Sequence, residues 1–217
     1  MDRRERLQRA RLYFVTEIRP GLEQLLAAAL EGGVDMVQLR DKSASDAALI
    51  DAAAVFRRLC DSHGALFWLN DRPDLVLRCD ADGVHVGQED VAPAAARELM
   101  GDRLVGLSTH SPAQLDAALE SREADELSVG PVWATPTKEG RRGVGLEYVR
   151  YAASRAGGAP WFAIGGIDLG NVREVIAAGA SRIVVVRAIR DAPDPRAAAA
   201  ALRAALDEAW GGPEGQP

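Results

Sequence analysis

Eight short apolar runs, separated by longer alanine-rich stretches, restrict most sharply what this chain can fold into. They are LYFVT from Leu12, MVQLR from Met36, LFWLN from Leu66, GVHVG from Gly83, LVGLS from Leu104, ELSVG from Glu126, WFAIGG from Trp161 and RIVVVR from Arg182. The runs are rich in β-branched and aromatic residues and several lack strict alternation, the pattern of parallel strands covered on both faces. Stretches between them, such as GLEQLLAAALEGG and SDAALIDAAAVFRRLCDSHG, carry apolar residues at helical spacing. Ser111 before Pro112 marks a helix start, Gly179 a helix stop, and DPRAAAAALRAALDEAW a last helix after the eighth run. Eight strands, each followed by a helical or connecting segment, predict a (β/α)8 TIM barrel, for which 217 residues is about the minimal length. An open doubly wound sheet has the same strand count and is the alternative. No linker divides the chain, so one α/β domain over 1–217 is expected, with 1–10 as an N-terminal extension and 211–217 as a disordered tail.

Composition removes several classes of function. The net charge of −6 argues against generic nucleic-acid binding, which needs an excess of Lys and Arg to neutralise phosphates. No apolar run approaches the roughly 20 residues that span a bilayer. The arginine-rich start has no apolar core behind it and carries Asp2 and Glu5, so neither a secretion signal nor a transit peptide is expected. Cys60 and Cys79 are the only cysteines and lack CxxC spacing, as befits two reduced thiols in a cytoplasmic protein. Small anions remain open as ligands, and assembly as a homo-oligomer is left open.

In a parallel barrel, reactive groups sit where strands end at the C-terminal face. Here those ends are rich in polar residues. The second run gives Gln38, Arg40 and Lys42, which alternate and would share one side if the extended chain continued. The third gives Asn70 and Asp71; the fourth His85, Gln88, Glu89 and Asp90; the fifth Ser108, Thr109 and His110. Thr135, Thr137 and Lys138 follow the sixth, Gly165 and Gly166 the seventh, and Val186 and Arg187 the eighth. Each alone has an ordinary explanation: a solvated rim, an Asx turn, turn glycines, or, for His85 between two valines, a structural histidine. Their convergence on one mouth carries the reading.

The residue types sort themselves by charge. Asp71 and Asp90 suit Mg2+, which takes one or two carboxylates and lets phosphate and water complete its shell. Arg40, Lys42 and Lys138 would surround a polyanion. Gly165, Gly166 and the Val186–Arg187 backbone follow strands seven and eight, where barrels build a monophosphate site from amides. Two anion sites and a divalent metal imply two phosphorylated substrates that are joined. No Ser-His-Asp spacing or paired thiol offers a covalent alternative, although His110 beside Ser108 stays open.

The segments LYFVTE, VQLRDK, LNDRPDLV, DGVHVGQEDV, GLSTHS, VGPVWATPTK and AIGGI with NVREVIAAGA resemble the thiamine phosphate synthase family, in order from about Leu12 to Ile189. The resemblance implies a transferase of thiamine biosynthesis. It would condense 4-amino-2-methyl-5-hydroxymethylpyrimidine diphosphate with thiazole phosphate, or its carboxylated form, to give thiamine phosphate and pyrophosphate. Carried over by motif, Gln38, Arg40, Lys42, Asn70, Ser108 and Lys138 would bind the pyrimidine diphosphate, with Arg40, Lys42, Ser108 and Lys138 acting in catalysis. Asp71 and Asp90 would hold Mg2+. Thr135, Thr137, Gly165, Gly166, Val186 and Arg187 would bind the thiazole phosphate. Two departures stand out: Arg187 replaces a serine common in relatives, and Ala134 replaces a proline. The segment from Val132 to Gly145 is expected to close over both phosphates as a flap. The alternatives are a thiazole tautomerase, which would not need the Arg40/Lys42 and Asp71/Asp90 sets together, and a non-catalytic barrel that binds thiamine precursors.

Overall fold

The computed structural model describes residues 1–135 and 143–210. Its strands are β1 (Leu12–Thr16), β2 (Met36–Leu39), β3 (Leu66–Asn70), β4 (Gly83–Val86), β5 (Leu104–Thr109), β6 (Glu126–Val129), β7 (Trp161–Ile164) and β8 (Ile183–Val185). Each pairs in parallel with the next, and β1 pairs with β8, so the sheet closes as a barrel in sequence order. Closure removes the open-sheet alternative. Among the described residues the helices are α1 (Arg3–Arg9), α2 (Leu22–Glu31), α3 (Asp46–His63), α4 (Pro93–Met100), α5 (Pro112–Ser121), α6 (Gly145–Arg155), α7 (Val172–Ala177), α8 (Arg187–Arg190) and α9 (Pro195–Trp210). After β3 the connection is only a short 3-10 turn, Pro73–Leu75. No described helix is long and apolar enough to cross a membrane.

Local signals set the helix ends as the sequence predicts. Ser111 accepts the Gln114 N–H ahead of Pro112 at the first turn of α5, and Gly179 follows α7 with φ +102°. Along each strand, alternate side chains enter two cores. Leu12 and Phe14 face the helices, whereas Tyr13 and Val15 fill the barrel with Met36, Leu66, Trp68, Leu104 and Phe162. Tyr13 meets the ring edge of Phe162 at a centroid distance of 5.7 Å. The N-terminal stretch 1–10 forms α1, opened by an Asp2–Glu5 capping box, and puts Leu7 and Ala10 into the interior core. It closes the barrel from below.

The same lower face carries a repeated device. Asp35, Asp82 and Asp125 each stand one residue before an even-numbered strand and accept the backbone N–H of Leu12, Phe67 and Val105 on the odd-numbered neighbour, at 2.9–3.0 Å. Each also meets arginine: Asp35 meets Arg203, Asp125 meets Arg97, and Asp82 meets Arg3, Arg6 and Arg57 together. Burial alone would raise the Asp82 pKa. The Arg57 and Phe67 hydrogen bonds and the charges of Arg57 and Arg6 outweigh that and hold it below the usual carboxylate range.

Candidate active site

At the opposite end, the strand exits surround a cavity of about 280 Å³. Gln38 and Arg40 from β2, Asn70 from β3, Ser108 from β5, Thr135 beyond β6, Gly165 and Gly166 after β7, and Val186 and Arg187 after β8 all line it. Gln38 is buried and its amide donates to the Tyr13 hydroxyl at 2.5 Å, which fixes the side chain against the barrel interior. Burial, with the nearby Glu126 charge second, holds the Tyr13 phenol protonated well above its ordinary pKa. Gly165 has φ +105°, and a Cβ there would lie 2.4 Å from the Pro131 Cβ. Only glycine lets the exit of β7 pass this close under the loop after β6.

Lys42, Asp71 and Asp90 stand around this cavity rather than in its wall. β2 ends at Leu39, and Asp41 then accepts the Ser43 N–H and hydroxyl in a turn, so the alternation does not carry through to Lys42. Lys42 is exposed at the rim and its ammonium lies 3.2 Å from Asp71. Asp71 follows β3 in a left-handed conformation, φ +58°, and its N–H donates to the His85 carbonyl. Asp90 comes from the loop after β4, where it accepts the Gly87 N–H at 2.8 Å; a Cβ on Gly87 would lie 2.7 Å from that carboxylate oxygen. Both acids therefore hang on the same exit, His85 to Gly87. Among the described residues no three His, Cys, Asp or Glu side chains gather as a metal cage. Two carboxylates at one strand exit beside the cavity that Arg40 lines are nevertheless the donor chemistry that Mg2+ accepts. Thr137 and Lys138 lie outside the described residues, as do the middle of the expected flap, 136–142, and the 211–217 tail.

The structure also brings in residues that the sequence reading gave no role. His85, Gly106 and Glu126 occupy one register row across β4, β5 and β6. Because the middle residue has no side chain, His85 Nδ1 reaches Glu126 Oε2 at 2.8 Å; a Cβ on Gly106 would sit 2.3 Å from that oxygen. His85 Nε2 lies 2.9 Å from Ser108 Oγ, and the Ser128 hydroxyl donates to Glu126 Oε1 at 2.8 Å. Thr109 instead turns outward, accepting from Tyr148 and donating to the Ser128 carbonyl. His110 Nδ1 meets the Gly130 carbonyl, which ties it to the loop after β6 rather than to Ser108.

Residues 12–189 match the family described as thiamine monophosphate synthase. Similar curated proteins include the thiamine-phosphate synthase of Saccharopolyspora erythraea, 50% identical over 213 residues and covering 94% of this chain and 96% of that one. The thiamine-phosphate synthase of Thermus thermophilus is 53% identical over 201 residues, covering 90% and 97%. Among solved structures, the thiamine phosphate pyrophosphorylase from Pyrococcus furiosus superposes with a TM-score of 0.86 at 33% identity, over 97% of this chain and all of that one.

Proposed function

The chain belongs to the thiamine monophosphate synthase family, and from that premise we propose how its own residues carry out the reaction. The enzyme condenses the aminopyrimidine diphosphate with thiazole phosphate, releasing pyrophosphate and thiamine phosphate. The observation that carries the residue assignment is the single cavity shared by polar groups from six strand exits.

An electron-rich aminopyrimidine stabilises the benzylic-type cation left when diphosphate departs. The site must then neutralise the leaving group more than it must supply a base. Arg40 in the wall and Lys42 at the rim, joined by Lys138, do so in this assignment, with Ser108 and Asn70 donating to the same oxygens. A bound Mg2+, held by Asp71 and Asp90, would add Lewis-acid charge at the diphosphate. Diphosphate offers Lys42 an anionic partner in place of Asp71, which frees that carboxylate for a cation. Thr135, Thr137, Gly165, Gly166 and the Val186–Arg187 turn hold the thiazole phosphate, whose ring nitrogen needs only to be positioned for attack. Gln38, fixed by Tyr13, orients the pyrimidine. The ligands are thus small phosphorylated molecules, not nucleic acid or membrane. We place the protein in the cytoplasm, in keeping with two buried free thiols, of which Cys60 is pushed by burial up to a pKa of about 12.

The deciding experiment incubates purified protein with both phosphorylated precursors, with and without Mg2+, and measures thiamine phosphate. Metal-dependent product is expected. Binding of both precursors without product would favour a non-catalytic barrel instead.

A further inference from the structure

At the cavity floor, which His85, Ser108 and Ser128 all line, the Glu126–His85–Ser108 chain of hydrogen bonds has no part in the assignment above beyond Ser108 itself. Building on that assignment, we infer that His85 and Glu126 are positioning residues that aim the Ser108 hydroxyl proton at the departing diphosphate.

Glu126 is fully buried, and among the described residues the ionisable side chain it meets is His85. An imidazolium beside it, or a proton on the carboxyl itself, would neutralise a charge that burial makes costly. In the electroneutral pair that this proposal requires, one proton lies between Glu126 Oε2 and His85 Nδ1 and a second on Nε2. In that state Nε2 donates to Ser108 Oγ, 2.9 Å away. Accepting from the ring rather than donating to it, Ser108 keeps its own proton for the cavity that it lines with Arg40. Ser128 donates to the other Glu126 oxygen, so the carboxyl cannot swing away. A donor pre-aimed at charge that grows as diphosphate leaves acts on turnover more than on binding.

The first test reads protonation directly. The chain has three histidines, so 15N-histidine labelling, with His63 and His110 replaced in turn for assignment, identifies the His85 resonances. A hydrogen on Nε2 is expected at neutral pH; a bare Nε2 overturns the inference. The second test is kinetic. Glu126→Leu should lower kcat by up to about 10²-fold, the cost of a misplaced group, while KM for the pyrimidine diphosphate changes little. Glu126→Gln, whose amide can donate to Nδ1 and accept from Ser128, should recover most of that loss. In a Ser108→Ala background, adding Glu126→Leu should cost nothing further, because the pair acts through Ser108. Independent, multiplying losses would mean a merely structural role. Should Glu126→Leu not fold, Glu126→Gln decides: a bare Nε2 in that variant, or no turnover despite an intact fold, overturns the relay. Wild-type protein that makes no thiamine phosphate would refute the functional assignment, leaving the 15N result to judge the hydrogen-bond chain alone.

Discussion

The two ends of this barrel use the same residue types in opposite ways. At the lower end, carboxylates are saturated: Asp82 accepts from three arginines and a backbone N–H, and Asp35 and Asp125 repeat the arrangement. At the upper end, Asp71 and Asp90 each have one described polar partner, Lys42 and the Gly87 N–H. Charges whose hydrogen-bonding capacity is consumed internally stabilise the fold; charges with capacity left over can meet a ligand. This is the division between stability and catalysis expected of the two faces of a TIM barrel.

That contrast can be broken by measurement. The largest effect should come from Asp82→Asn, which strips the common partner from three arginines. Losing one side of a buried ion pair costs about 3–5 kcal/mol, roughly a 6–20 °C drop in Tm for a domain of this size. Turnover well below the new Tm should be unchanged, and a fall in kcat with Tm intact would erase the distinction. Next come Asp71→Ala and Lys138→Ala, each expected to lower kcat by about 10²–10³-fold with little change in Tm. Near-normal product formation by either would remove its assigned role.

Acid gives a smaller, graded test. The Asp82 pKa is depressed in the fold, so its contribution is fully present above the unfolded value of about 3.9 and is lost as pH falls through the folded value. Denaturant titrations should show stability falling below about pH 4, and less steeply in Asp82→Asn. The smallest effect belongs to Arg187→Ala, expected to raise KM for the thiazole phosphate several-fold, on the order of 1 kcal/mol. An unchanged KM would make Arg187 a rim residue.

Much of this architecture was legible in the sequence because it depends on short-range patterns. The eight apolar runs became the eight strands with ends shifted by a residue or two, and Ser111–Pro112 opened α5 as expected. The convergence of Gln38, Arg40, Asn70 and Ser108 follows from strand order and alternation once the sheet closes. Lys42 did not follow, because its place depends on a turn made by Asp41 rather than on strand period. The aspartates before β2, β4 and β6 escaped notice although each precedes its strand at the same offset; their meaning comes from arginines distant in sequence. His85 read as structural for the same reason. Its partners come from β5 and β6, and only register shows that a glycine lets them touch.

Gly106 therefore has a consequence larger than its size. Replacing it with alanine removes no functional group and leaves every proposed ligand contact nominally in place. The added methyl would nonetheless claim the space in which an imidazole and a carboxyl meet. In a saturation screen scored by growth without vitamin supplementation, this position should behave like the most intolerant residues of the mouth. It can disable the enzyme by addition, where its neighbours must be disabled by loss.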